Sequence, residues 1–176
     1  MKNAAGNKTR NFIGRALSRA ALVLLTLAVL SPAVSAPALA AENPKVKESM
    51  QALKDATAAL GKPKLDGENL FFGTTKINGD FTVVDAVKAK SGASSTLFAK
   101  KGANFVRIST NIMKDGQRAV GTILDPAGPA YAAVSKGNTF YGLVDILGKI
   151  YDTGYEPIKD DSGQIIGVYY TGYIQE

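Results

Sequence analysis

The chain has 176 residues, 21 of them Lys or Arg and 15 Asp or Glu, a formal net charge of +6. It contains no Cys and no His. That excludes disulfides, thiolate nucleophiles and thiolate metal sites, and it removes the commonest general base and metal ligand together.

The first forty residues read as an export signal, a signal peptide over residues 1–40. Lys2, Lys8, Arg10, Arg15 and Arg19 make a positive start without an acid, and an apolar stretch follows over residues 20–30. Ala38-Leu39-Ala40 then has the small-x-small form of a cleavage site. The rival is a retained anchor. The uninterrupted apolar run of about 11 residues falls short of the ~20 that span a bilayer, and Pro32 and Pro37 break any extension. Cleavage is therefore expected, with no stable membrane span afterwards. The segment holds 5 of the basic residues and none of the acids, so the remaining chain has 16 basic and 15 acidic residues, net +1. The basic character belongs to the targeting segment. No clustered basic surface remains for nucleic acid. The expected location is periplasmic or secreted, with a single domain over residues 42–176.

In the mature chain, Asn43-Pro44 is a helix start, a capping side chain followed by Pro at the first helical position. Val46, Met50, Leu53, Thr57 and Leu60 recur at helical spacing, and Gly61 and Pro63 end the run. Residues 70–79 hold turn material around short apolar pieces, and residues 81–87 suit a strand or a short helix. Residues 96–99 read as a strand, Lys101-Gly102 as a hairpin turn and 104–112 as its partner. Asp115-Gly116 is a turn before a strand over 118–124. Asp125-Pro126 and Gly128-Pro129 open a short helix closed by Gly137. Residues 139–147, 150–158 and 164–174 are further strands, the last two joined through the polar loop 159–163. The sum is an α+β fold: a long helix packed on about five antiparallel strands, with a short helix inserted.

Strand alternation sorts the side chains. Strict alternation places Val106, Ile108, Thr110 and Ile112 on one face and Phe105, Arg107, Ser109 and Asn111 on the other. Tyr151, Thr153 and Tyr155 share a face of their strand. A polar-aromatic sheet face of this kind suits a pocket wall.

The runs Phe105-Val106-Arg107-Ile108-Ser109-Thr110-Asn111 and Arg118-Ala119-Val120-Gly121-Thr122-Ile123-Leu124-Asp125 resemble strands of Cache sensor domains. So do the stretch from Phe140-Tyr141-Gly142-Leu143 through Ile150-Tyr151, the run Tyr155-Glu156-Pro157-Ile158, and Gly163-Gln164-Ile165-Ile166-Gly167-Val168-Tyr169. The likeness is to the single-Cache variety, the Cache 3/Cache 2 fusion type of methyl-accepting chemotaxis proteins, and it spans about residues 42–173. It implies a PAS-like antiparallel sheet with a long N-terminal helix on one face. It also implies binding of a small metabolite between sheet and covering loops, without catalysis. The chain carries no second membrane helix and no signalling module, so the expectation is a free-standing exported sensor. Its output would pass through a partner such as a membrane-bound chemoreceptor or sensor kinase.

Arg107 is the first candidate for a ligand contact, because a guanidinium grips a carboxylate through two parallel hydrogen bonds. Ser109 and Asn111 are expected beside it, with Tyr151, Thr153 and Tyr155 as walls. Of the adjacent pair Phe140 and Tyr141 only one can face the pocket, and Tyr141 is the choice. Ordinary strand packing competes for each of these roles, and Arg118 reads as a turn-flanking residue. Asp145, Asp152 and Glu156 invite hydrolase or metal chemistry, but nothing completes a site around them. The expected ligand is small and carboxylate-bearing, with no cofactor, metal or catalytic residue. The alternative is an interaction module that docks on a membrane-bound sensor without a ligand of its own.

Overall fold

The structure, a computed structural model, describes residues 43–175. The expected signal over residues 1–40 lies outside them. Helix α1 spans Pro44–Ala58, starts on the Asn43 side chain, which accepts the Lys45 N–H, and has Pro44 in its first turn. Val46, Met50, Leu53 and Thr57 of the expected stripe are buried. Leu60 lies beyond the helix and is exposed.

Strands β1 (Pro63–Asp66), β2 (Asn69–Phe72) and β3 (Thr75–Lys76) form a small antiparallel sheet that takes in the short apolar pieces read among turn material over residues 70–79. Helix α2 (Thr82–Ser91) settles the open choice over residues 81–87 and ends on the left-handed Gly92. The main sheet contains β4 (Ser94–Lys101), β5 (Asn104–Thr110), β8 (Phe140–Ile146), β9 (Lys149–Lys159) and β10 (Ile165–Ile174). Its order is β5-β4-β10-β9-β8, every neighbour antiparallel, the PAS-like sheet that was expected. Between β5 and β8 run the short hairpin β6 (Met113–Lys114) and β7 (Gln117–Arg118), then α3 (Pro129–Val134). Asp115 (φ 50°) and Gly116 (φ 78°) make the hairpin's turn. Positive φ at both central residues is what a tight two-residue hairpin demands.

The strand expected over residues 118–124 is not one. Only Gln117–Arg118 pairs, with β6. The chain then runs beside the free edge of β5 through Arg107 N–H to Thr122 O, Gly121 N–H to Arg107 O and Leu124 N–H to Phe105 O. The β5 edge is thereby covered by a loop rather than by a sixth strand.

Two cores result, one on each face of the main sheet. On the helix face, Met50 and Leu53 of α1 and Val84 and Val87 of α2 pack with Leu97, Ile108, Ile158 and Ile166, and Leu70, Phe72 and Ile77 close the side. On the loop face, Phe98, Phe105, Tyr155, Val168 and Tyr170 lie under Ile112, Ala119, Leu124, Ala130 and Val134 of the connecting segment.

Candidate functional site

The site is set by an irregularity in β5. Leu97 pairs with Ser109 and Phe98 with Arg107, so Ile108 is an extra residue in the ladder. Such a bulge shifts the phase of everything beyond it. Phe105 and Arg107 face the loop core, as alternation predicted. Past the bulge the faces exchange: Thr110, opposite Thr96, and Ile112 join the loop side. Ser109 and Asn111 turn to the helix side. Ser109 Oγ donates to Asp80 O at 2.5 Å. Asn111 accepts from Ser95 N–H and donates to Val84 O of α2. The expected trio of Arg107, Ser109 and Asn111 on one face is therefore corrected to Arg107 without the other two.

The second correction concerns the aromatic pair. Tyr141 lies opposite Gly154 and Phe140 opposite Tyr155. Phe140 packs at 6.2 Å from the Tyr155 ring on the loop face. Tyr141 instead lies on the helix face and donates to Glu156 Oε1 at 2.7 Å. A Cβ at position 154 would come within 2.6 Å of the Tyr141 ring, so only glycine lets that ring lie across β9. Tyr151, Thr153 and Tyr155 share the loop face with Arg107. Thr153 is fully buried there and its hydroxyl donates to Gly142 O.

Arg107 and Tyr155 form the buried floor of a cavity of about 150 Å³. Ile123, Leu124 and Asp125 wall it from the β5 side, and Val144, Asp145, Ile146 and Leu147 from the β8 side. A second hollow of about 190 Å³ shares Ile146 and Leu147 as its wall, and Asn111 and Tyr151 line it. The hairpin tip between the two, Leu147-Gly148, has φ of 56° and 82°. A leucine there is held in a strained backbone region.

Arg107 is only 5 % exposed. Its Nη1 donates to Thr122 Oγ1 at 2.6 Å and its Cζ stands 5.1 Å above the Phe98 ring. Its Nε is buried without a hydrogen-bond partner. Among the described residues no carboxylate forms an ion pair with it. Burial lowers the pKa of the guanidinium, and Tyr155, Tyr170 and Tyr151 act against that shift. An arginine stays charged regardless. Burial raises the Tyr155 phenol, with Arg107 opposing, and raises Tyr170 well above its ordinary value. Both phenols are therefore neutral at physiological pH. The Tyr170 hydroxyl, 4.9 Å ring to ring from Tyr155, also has no partner.

Thr122, Phe98 and Tyr170 are the neighbours of Arg107 that sequence reasoning missed. The Tyr169-Tyr170 pair carried a usable signal, since adjacent strand residues face opposite ways. Tyr169 packs on Phe72 in the helix core, and Tyr170 faces the loops.

The acids suspected of chemistry are occupied elsewhere. Asp152 Oδ2 accepts from Asn43 at the start of α1. Glu156 joins Lys54 and Tyr141. Asp145 Oδ1 accepts the Gly148 N–H in the hairpin turn. Arg118 is more than a turn-flanking residue, because it forms a two-pronged pair with Asp85 and stacks over Phe81, tying the β6–β7 hairpin to α2.

Against known proteins, the chain matches the family described as Cache 3/Cache 2 fusion domain over residues 28–176. The match begins inside the stretch read as a signal. None of the curated proteins matches the chain. Among solved structures, the sensor domain of E. coli DcuS is similar at 15 % identity and a TM-score of 0.39, over 75 % of this chain and 77 % of that one. No helix of the described residues is long and apolar enough to cross a membrane.

Proposed function

The chain belongs to the Cache 3/Cache 2 fusion domain family, whose members sense small molecules outside the cytoplasm, and on that footing we propose that it binds a small carboxylate in the Arg107 cavity. The observation that carries the reading is the buried guanidinium, 5 % exposed, with no carboxylate paired to it. Burying an unpaired charge is costly. A ligand carboxylate at the guanidinium would offset that cost. Tyr155 forms the rest of the floor, and Ile123, Leu124, Val144 and Leu147 supply apolar walls. Tyr151 and Thr153 lie on the same face, while Ser109 and Asn111 bond Asp80 and Val84 on the other. The cavity is small. Its volume of about 150 Å³ suits a short metabolite.

In this reading residues 1–40 are a signal peptide, residues 42–176 are the binding domain, and the domain acts by occupancy rather than catalysis. Its state is passed on by a membrane-bound receptor or kinase. The test is a thermal-shift screen of short organic acids on the protein recovered after expression of the full chain, with intact mass reporting cleavage after Ala40. Stabilisation by carboxylates, lost in Arg107→Met, supports the reading. Equal stabilisation of wild type and Arg107→Met would sink it.

A further inference from the structure

Arg107 is tied to the loop beside β5 by both its backbone and its side chain. Its N–H donates to Thr122 O at 2.8 Å, and its carbonyl accepts from Gly121 N–H at 2.9 Å. Its Nη1 donates to Thr122 Oγ1 at 2.6 Å. Thr122 Oγ1 in turn donates to Ala119 O at 2.8 Å. A hydroxyl has one hydrogen and two lone pairs. With that hydrogen given to Ala119, the oxygen can only accept toward Arg107, which is what a cation requires. The Phe98 ring lies under the guanidinium, 5.1 Å from Cζ, a contact that favours the charged form.

The three guanidinium nitrogens are therefore not equivalent. Nε is buried and has no partner. Nη1 is committed to Thr122. Nη2 makes no hydrogen bond among the described residues, but unlike Nε it is not shut away from the outside. Arg107 lines the cavity, and Nη2 is its nitrogen that is both unbound and reachable. A side-on grip on a carboxylate needs Nε and Nη2 together. Burial of Nε closes that grip here.

We infer that Thr122 is the positioning residue of the carboxylate site: by holding Nη1 it fixes the guanidinium so that Nη2, and not Nε, meets the ligand. The inference rests on the carboxylate reading above and adds how the cation is aimed. A long, flexible side chain loses rotamer freedom when it grips a ligand, and one already held in place loses less. Thr122 supplies that hold from the same residue whose carbonyl fastens the loop to β5.

Calorimetry on the protein recovered after full-chain expression would compare propionate, pyruvate and succinate with propionamide as a neutral control. Thr122→Val keeps the branched shape and the backbone bonds but loses the hydroxyl. It should weaken Arg107-dependent binding of the acids by about tenfold, the scale of one hydrogen bond to a charged group, and leave propionamide unchanged. Thr122→Ser, which keeps donor and acceptor, should stay close to wild type. Where Thr122→Val does not fold, Thr122→Ala loses the same hydroxyl and takes its place. Acids bound as tightly by Thr122→Val as by wild type overturn the positioning role and leave the carboxylate reading standing. So does an equal loss for acids and propionamide, which assigns Thr122 to the scaffold, or a Thr122→Ser protein as weak as Thr122→Val. No difference between wild type and Arg107→Met for any of the three acids overturns both.

Discussion

The two faces of the main sheet use their polar residues in opposite ways. On the helix face, Ser109, Asn111, Thr57 and Thr171 are buried and each is bonded to backbone. Glu156 is held between Lys54 and Tyr141. Among the described residues, Ser95 Oγ is the buried side-chain group on that side without a partner. The loop face leaves Arg107 Nε and the Tyr170 hydroxyl unpartnered in its core, and Arg107 lines a cavity there. Satisfied groups fasten α1 and α2 to the sheet, whereas the loop face keeps a charged side chain without a paired carboxylate at a cavity wall.

The contrast is open to direct attack. The largest effect belongs to the fastened face: Leu53→Ala removes a side chain with no exposure between α1 and the sheet. It should cost about 2–5 kcal/mol by chemical denaturation without changing which ligands bind. A shift in ligand preference would mean that the two faces are not separable. Next comes Arg107→Met, which should weaken carboxylate binding by about 1.5–3 kcal/mol while leaving the free protein's stability nearly unchanged. Exchanging an unpaired buried charge for an apolar side chain removes a cost along with a contact. A collapse in free-protein stability would assign Arg107 to the scaffold instead.

A matched pair of hydroxyl deletions makes the finer test. Tyr141→Phe loses the bond to Glu156 and should destabilise by about 1 kcal/mol. Tyr170→Phe removes a hydroxyl with no partner and should be neutral or slightly stabilising. Equal losses would erase the distinction between the faces. The smallest effect is one of pH. The Thr82 N–H, then its hydroxyl, hold the Asp80 carboxyl below its ordinary value. Its contribution is therefore complete above about pH 4 and is lost as pH falls through the lower folded value. Acid titration of stability should show this loss, and Asp80→Asn should reduce it, leaving the share of Asp160, whose carboxyl the Ser162 hydroxyl also holds low. The Arg107 and Tyr155 groups of the loop face add nothing in that range, because neither titrates there.

Periodicity made most of the frame legible. The α1 stripe, the hairpin turns and the shared face of Tyr151, Thr153 and Tyr155 all follow from spacing, because buried regular elements repeat their contacts at the backbone's own period. The two site errors arose where that period breaks. Ile108 is an extra residue in β5, and nothing in Phe105-Val106-Arg107-Ile108-Ser109 marks it, since a bulge is a property of the pairing rather than of the strand. The choice between Phe140 and Tyr141 turned on which ring Gly154 admits, a cross-strand relation that a single strand does not contain. The loop over residues 119–125 has the composition of a strand and even lies along one. It was misread because it bonds an edge without forming a regular ladder.

On β9, Tyr155 forms the cavity floor and Glu156, the next residue, is bonded to Lys54 of α1. One rigid peptide plane separates the two. The residue at the cavity floor and the residue that anchors α1 are therefore neighbours in the chain, and the cavity and the helix hold opposite faces of the same strand.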